Sequence, residues 1–308
     1  MTIALDGRVA IVTGAGGGLG RSHALALAAH GAKVVVNDLD EVKALAVVDE
    51  ICASGGEAIA YVASVTDMAQ VTAMVSHATA LWGGVDILVN NAGILRDKSF
   101  AKMELDDFRL VLDVHLMGSV NCTKAVWNQM CARRYGRIIF TTSSSGLYGN
   151  FGQANYSAAK MALVGLMQTL SIEGERNNIH INCLAPSAAT AMTNDLYSDE
   201  ALANLDASLV SPAVVALVGE DGPTRRILLA GAGSFEQANI TMTKGIYFAD
   251  RHDVASALAQ KFAEIADREG EFVPASGGEQ YQYEAARSGS LAMPSAVRLP
   301  PSAPMAQT

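Results

Sequence analysis

The sequence predicts a doubly wound α/β domain, with a seven-stranded, mostly parallel sheet covered by helices on both faces and a C-terminal helical extension and tail. Three observations carry this. Short, almost wholly apolar runs recur along most of the chain, as strands buried on both faces require. Stretches with apolar residues at helical spacing separate them. The first run ends in a glycine-rich turn, Thr13-Gly-Ala-Gly-Gly-Gly-Leu-Gly20, which opens directly into one of those stretches.

Arg8-Val-Ala-Ile-Val-Thr13 is the first strand, and residues 19–30 form the helix after it. Lys33-Val-Val-Val-Asn37 and a helix over 41–54 follow, then Ala58-Ile-Ala-Tyr-Val62 and a helix over 67–81. Asp86-Ile-Leu-Val-Asn90 is the fourth strand, ahead of one long helix over 105–132. Arg137-Ile-Ile-Phe-Thr141 is the fifth. A glycine-rich loop at 146–152 then leads to a helix around 154–173. Ile179-His-Ile-Asn-Cys-Leu184 and Ile227-Leu-Leu-Ala230 complete the sheet. No linker composition or fixed-period repeat interrupts the pattern, so residues 1–245 read as a single domain. In the extension, 246–308, Val254, Leu258, Phe262 and Ile265 give 252–268 the apolar face of a docked helix. From about Pro274 the chain is rich in Ser, Ala, Pro and Gly, and Pro300-Pro-Ser-Ala-Pro-Met-Ala-Gln-Thr308 is expected to stay extended, either across a neighbouring subunit or as a loose tail.

Half of the residues are hydrophobic and only 17% are charged, which gives a large buried core and argues against a mainly disordered chain. No apolar run reaches the roughly 20 residues that cross a bilayer. With 31 acidic against 22 basic residues and basic clusters no larger than pairs, the chain lacks the basic stripe of a nucleic-acid binder. The N-terminus enters a strand without a basic, then apolar leader, so a cytosolic location is expected. Cys52, Cys122, Cys131 and Cys183 stand singly among apolar residues and are expected as buried reduced thiols; no metal site is expected.

The glycine turn lies between a strand and a helix, where close backbone approach and the amides of a helix N-terminus suit a pyrophosphate. A tight turn with no ligand is the bland alternative. Asp38, just beyond the second strand, can accept bonds from adenosine ribose hydroxyls and would repel an added 2′-phosphate, so NAD is expected rather than NADP. Capping a helix is its other role. Asn90-Asn-Ala-Gly93 follows the fourth strand at the carboxyl edge of the sheet, where such folds bind ligands. Tyr156 and Lys160 are four apart and share one helix face. An ammonium beside a phenol favours the phenolate, which can exchange a proton with an alcohol. Alone, the tyrosine would read as a packed amphipath and the lysine as a solvated side chain.

Taken together, Thr13–Gly20, Asn90–Gly93, Ser143 and Tyr156-Ser-Ala-Ala-Lys160, in this order and spacing, resemble the short-chain dehydrogenase/reductase family over about residues 5–245. More narrowly, Val36-Asn-Asp-Leu39, Val114-His-Leu116 and Tyr148–Tyr156 look like the dehydrogenase part of the peroxisomal multifunctional enzyme type 2 branch. That branch acts on (3R)-hydroxyacyl-CoA and, in some members, on steroids. The resemblance implies a Rossmann-type fold and NAD-linked oxidation of a secondary alcohol to a ketone. It implies cofactor contacts at Gly14, Gly18, Leu19, Gly20, Asp38, Ser64, Val65, Asn91, Ala92, Gly93, Tyr156, Lys160 and Pro186. Tyr156 becomes the general base, Lys160 a ribose ligand that depresses the tyrosine pKa, and Ser143 the donor to the substrate oxygen, chosen over Ser144 and Ser145 by the family pattern. His115 stands where most members carry asparagine; its expected part is supporting a water linked to the lysine, with helix packing as the alternative. Ala188–Ser208 follows the sixth strand as a polar, small-residue loop over the substrate.

The leading expectation is therefore a (3R)-hydroxyacyl-CoA dehydrogenase, with a free hydroxysteroid or other secondary-alcohol dehydrogenase as the alternative. A catalytically silent nucleotide sensor is the third reading, disfavoured by the intact Ser143, Tyr156 and Lys160. The helices over 105–132 and 154–173 are expected to pair two copies into a homodimer, with Ala158, Ala162 and Gly165 allowing close approach and Leu163, Leu166, Met167 and Leu170 supplying apolar contact. A tetramer stays open.

Overall fold

The computed structural model describes residues 3–188 and 205–288. Two compact units divide at Ala238 and Asn239.

The first unit is built on one sheet. Its elements run β1 (Val9–Thr13), α1 (Gly18–Ala29), β2 (Lys33–Asp38), α2 (Glu41–Ala53), β3 (Ala58–Val62), α3 (Met68–Trp82) and β4 (Ile87–Asn90). They continue through α4 (Leu105–Leu112), α5 (Gly118–Arg133), β5 (Gly136–Thr141), α6 (Ser144–Tyr148), α7 (Ala154–Gly174), β6 (Ile179–Ser187), α8 (Ser211–Val218), β7 (Ile227–Gly231) and β8 (Ser234–Ala238). The strand order is β3-β2-β1-β4-β5-β6-β7-β8. Every pair is parallel except the last, where β8 turns back on β7. All seven expected strands are present; β8 is an addition. The chain reverses its direction of travel across the sheet between β1 and β4, and that switch opens a crevice at the strands' carboxyl ends.

Alternation along each strand divides the core into two layers. Ala10, Val12, Val34, Val36, Ile87 and Val89 meet α1, α2 and α8 on one face. Ile11, Val35, Leu88, Ile138 and Phe140 meet α3, α5 and α7 on the other. The period of two thus makes both faces of the central strands apolar, which is why these runs look continuous in sequence.

The helix expected over 105–132 is interrupted: residues Asp113–Met117 form one π-helical turn between α4 and α5. Apolar periodicity runs straight through it, so one extra residue per turn leaves no mark in the pattern. Two other expectations change, for the cysteines and for the apolar residues of α7. Cys52 is exposed, because it falls on the outer side of α2 near its end; Cys122 and Cys183 are buried as expected, and Cys131 is partly buried. Leu163 and Met167 point into the core rather than outward. Their places on α7 belong to the face packed on the sheet.

In the second unit, the helix expected over 252–268 is two short ones, α9 (Val254–Gln260) and α10 (Phe262–Ile265), separated at Lys261, whose φ of −113° and ψ of 16° leave the helical region. Residues Gly277–Arg287 form a further helix, α11, inside the stretch expected to be low-complexity tail. Tyr283 donates to the Lys244 carbonyl at 2.8 Å, Arg287 donates to the same oxygen, and the Phe272 and Tyr283 rings lie 5.4 Å apart. These contacts hold a segment whose composition alone would not. The Pro300–Thr308 tail lies outside the described residues.

Candidate active site

Every residue proposed from sequence for the site lines one cleft of about 1180 Å³ at the carboxyl edge of the sheet. It runs from the glycine turn and Asp38, past Ser64, Val65 and Asn91–Gly93, to Ser143, Tyr156, Lys160 and Pro186.

At the nucleotide end, Gly14 and Gly18 have φ of 61° and 52°, left-handed values that a side chain would strain. A Cβ on Gly14 would also lie 2.8 Å from the Ala92 Cα, and one on Gly20 would strike the Gly14 carbonyl and the Asn91 amide. The turn is bolted to the loop after β4. Asn91 Nδ2 donates to the carbonyls of Thr13 at 2.9 Å and Gly14 at 3.1 Å, while Thr13 Oγ1 accepts from the amides of Asn91 and Ala92, both at 3.0 Å. Asn91 therefore fixes the loop. Asp38 is aimed by backbone: Oδ2 accepts from the Gly16 amide at 2.8 Å and Oδ1 from the Asp40 amide at 3.0 Å. Asp40, not Asp38, caps α2, accepting from the Lys43 amide. Lys43 also lines the cleft.

At the other end, Ser143 caps α6, accepting from the Ser145 amide at 3.1 Å, and its hydroxyl stands beside Tyr156. Tyr156 is placed by its neighbour: Asn155 Oδ1 accepts from the Tyr156 amide at 2.8 Å, and Asn155 Nδ2 donates to the Arg96 carbonyl at 3.0 Å. Lys160 is buried, and its ammonium lies 5.4 Å from the Tyr156 ring centroid and donates to the Thr141 carbonyl at 2.5 Å. Burial lowers the Lys160 pKa to about 7 and raises that of Tyr156, with the Ser143 hydroxyl pulling the tyrosine the other way. The expected depression of the tyrosine pKa is thus not what the protein alone produces, because loss of phenolate hydration dominates.

The lysine carries a consequence for stability. Unfolded, it titrates near its ordinary 10.5; folded, near 7. Between those values the unfolded chain holds a proton that the native one has released, so stability rises with pH across that window. Melts of the wild type and of Lys160→Met at pH 7 and about 9.5 check this. The wild type gains several degrees relative to the variant on going to the higher pH; parallel curves would contradict the assignment.

His115 lies in the π turn, buried. Its Nε2 faces the Ile94 amide at 3.0 Å and the Ile94 carbonyl at 2.7 Å, and Nδ1 has no partner among the described residues. Its ring meets that of Tyr156 edge-on with centroids 5.2 Å apart. Burial and then the charge of Lys160 lower its pKa to about 3, so the imidazole is neutral. Gly93 leaves it room, since a Cβ there would strike the ring. Sequence reading missed Gln153, Asn150 and Asp97 beside Tyr156: Gln153 Nε2 donates to Asp97 Oδ2 at 2.6 Å, and Gln153 Oε1 accepts from Asn150 at 3.1 Å. The position of Gln153 three residues before Tyr156, one helical turn away, was the available signal. Of the expected substrate loop, 189–204 lies outside the described residues.

A dinucleotide fits this cleft: glycines packed too closely on Ala92, Asp38 and Asn91 to admit a Cβ, a carboxylate at one end, and a tyrosine–lysine pair at the other. Fold and site together define a nucleotide-dependent oxidoreductase. The short chain dehydrogenase family model matches residues 8–201, and the chain belongs to that family, with an NAD-binding fold. It is 52% identical over 224 residues to peroxisomal multifunctional enzyme type 2 of Drosophila melanogaster, covering 70% of this chain and 37% of that one. It is 42% identical over 289 residues to peroxisomal multifunctional enzyme A of Dictyostelium discoideum, covering 91% and 64%. The chain thus spans less than two thirds of either relative. The full-length Drosophila enzyme structure superposes with a TM-score of 0.79 at 38% identity, over 94% of this chain and 51% of that one. A 7α-hydroxysteroid dehydrogenase complexed with NADH and 7-oxo glycochenodeoxycholic acid gives 0.71 at 29% identity, over 76% and 96%. The cytosolic expectation does not stand: it rested on the look of the N-terminus alone, and these multifunctional relatives are peroxisomal. Among the described residues no helix is long and apolar enough to cross a membrane, and no cluster of three or more His, Cys, Asp or Glu is placed to hold a metal ion.

Proposed function

We propose that the protein oxidises the hydroxyl of a (3R)-hydroxyacyl-CoA to the ketone with NAD. The observation that carries the chemistry is the convergence of Ser143, Tyr156 and Lys160 at one end of a cleft whose other end is the glycine turn. The similarity to multifunctional enzymes supports the acyl-CoA substrate.

The glycine turn would hold the pyrophosphate at the N-terminus of α1, and Asp38 the adenosine ribose. Lys160 would bond the nicotinamide ribose, with Asn91–Gly93 and Pro186 beside it. NAD, when bound, supplies the hydride acceptor. Ser143 donates to the substrate oxygen and orients the carbinol carbon. Tyr156 takes the hydroxyl proton as the C–H bond breaks, and returns it in the reverse direction. The charge of Lys160 favours the phenolate while it holds its proton. His115, neutral and edge-on to Tyr156, offers Nδ1 to a water beside the pair.

A free hydroxysteroid is the second reading, favoured by the 7α-hydroxysteroid dehydrogenase superposition. Purified protein assayed with NAD against hydroxyacyl-CoAs, free hydroxy acids and hydroxysteroids separates the two. Turnover of steroids with none of the thioesters would overturn the acyl-CoA assignment.

The assembly we propose is a homodimer. Ala158, Met161, Gly165 and Ile172 form an outward stripe on α7, and Leu105, Leu110 and Met117 lie exposed on α4 and the π turn. With Leu163 and Met167 in the core, this stripe replaces them as the contact surface. Light scattering at micromolar concentration should give twice the 32.2 kDa chain mass or more; a persistent single-chain mass would refute pairing.

A further inference from the structure

Helix α1 carries the glycine turn at its N-terminus, and its second turn holds a polar pair, Ser22 and His23, both buried. They reach across to the start of α8. Ser22 Oγ lies 2.7 Å and His23 Nδ1 2.9 Å from Ser211 Oγ, a third buried polar group. The Ser211 hydroxyl in turn donates to the Ala207 carbonyl at 3.4 Å. Ala207 begins a 3-10 turn, Ala207–Leu209, and two residues earlier Leu205 lines the cleft. A continuous run of hydrogen bonds and backbone thus joins the cofactor helix to a wall of the cleft.

The arrangement is costly as mere packing. His23 is fully buried, and its Nε2 has no partner among the described residues. An apolar residue of similar size would avoid that desolvation without loss of core. Helix α1 also approaches this 3-10 turn at the surface. There Asp206 is held below the ordinary carboxylate range first by its bonds to Ser208, and further by the charge of Arg21, the residue before Ser22.

We propose that Ser22, His23 and Ser211 are positioning residues that couple occupancy of the nucleotide end of the cleft to the placement of the Leu205–Leu209 wall. The proposal rests on reading the N-terminus of α1 as the seat of the NAD pyrophosphate. A ligand that fixes α1 fixes the rim of Ser22 and His23 one turn on, and Ser211 carries that restraint to the wall. Coupling of this kind is reciprocal, so substrate seated against the wall tightens cofactor binding equally.

Hydrogen exchange with NADH as the probe tests this without turnover. In the wild type, saturating NADH slows amide exchange by at least about threefold both in residues 13–20 and in 205–211. In His23→Leu and Ser211→Ala, protection of 13–20 persists while that of 205–211 is lost, and His23→Asn, which keeps a nitrogen near the position of Nδ1, restores it. The serine variant removes one oxygen only and stands in should the leucine variant fold poorly. Full protection of 205–211 in folded His23→Leu or Ser211→Ala would overturn the coupling, as would wild-type protection confined to 13–20. Absence of protection at both segments would overturn the cofactor reading itself, and the coupling with it.

Discussion

Replacing Tyr156 with Phe lowers kcat for alcohol oxidation by about a thousandfold, the usual worth of a positioned proton acceptor. The fold and NADH binding stay close to wild type. The phenol ring, not the oxygen, makes the edge contact with His115, and the backbone amide of Tyr156 keeps its bond to Asn155. What is lost is the phenolic oxygen that is proposed to take the substrate proton. Steady-state kinetics together with NADH titration check this split. Near-wild-type turnover in the variant would show that another group is the base, and the proton assignment would fall.

Replacing Asp38 with Ala erodes the preference for NAD over NADP by about a hundredfold, a change of about 2.7 kcal/mol. Two effects add. The carboxylate that two backbone amides aim into the cleft is gone, removing both a ribose acceptor and the repulsion of a 2′-phosphate. Lys43, which also lines the cleft, then offers a cationic side chain there, and its Cβ already packs by Gly16 beside the carboxylate. The ratio of kcat/KM for the two cofactors in wild type and variant measures this. Equal use of NAD and NADP by the unmodified enzyme would contradict the electrostatic account.

The parts of this molecule legible in its sequence are those fixed by burial on both faces of the sheet or by glycine. Val34, Val35 and Val36 announce β2 because every position is covered, and Gly14 and Gly20 announce the turn because a Cβ there would strike neighbouring backbone. The edge strand β8 was not legible, since Ser234–Ala238 is mostly exposed and its residues show no buried face. Nor was the π turn at Asp113–Met117, which reorients His115 without breaking the apolar pattern. The direction of Leu163 and Met167 depends on which side of α7 meets the sheet, and a helix apolar on several sides does not say. Helix α11 depends on Tyr283 and Arg287 finding the Lys244 carbonyl, a contact some forty residues away. Tyr156 and Lys160 could be named from their spacing and Ser143 from the family pattern, but the Asp97, Gln153 and Asn150 cluster beside them required the chain to be folded.

The central claim is that the cleft oxidises a 3-hydroxyacyl thioester of one hand. The most direct measurement follows NADH formation with enantiomerically pure (3R)- and (3S)-hydroxyacyl-CoA at matched concentrations. The (3R) thioester should be oxidised at least about a hundredfold faster in kcat/KM, since a reversed carbinol carbon cannot keep its oxygen at Ser143 and Tyr156 while presenting its hydrogen for transfer. Preference for the (3S) thioester, or oxidation of neither while a free steroid alcohol turns over, would contradict it.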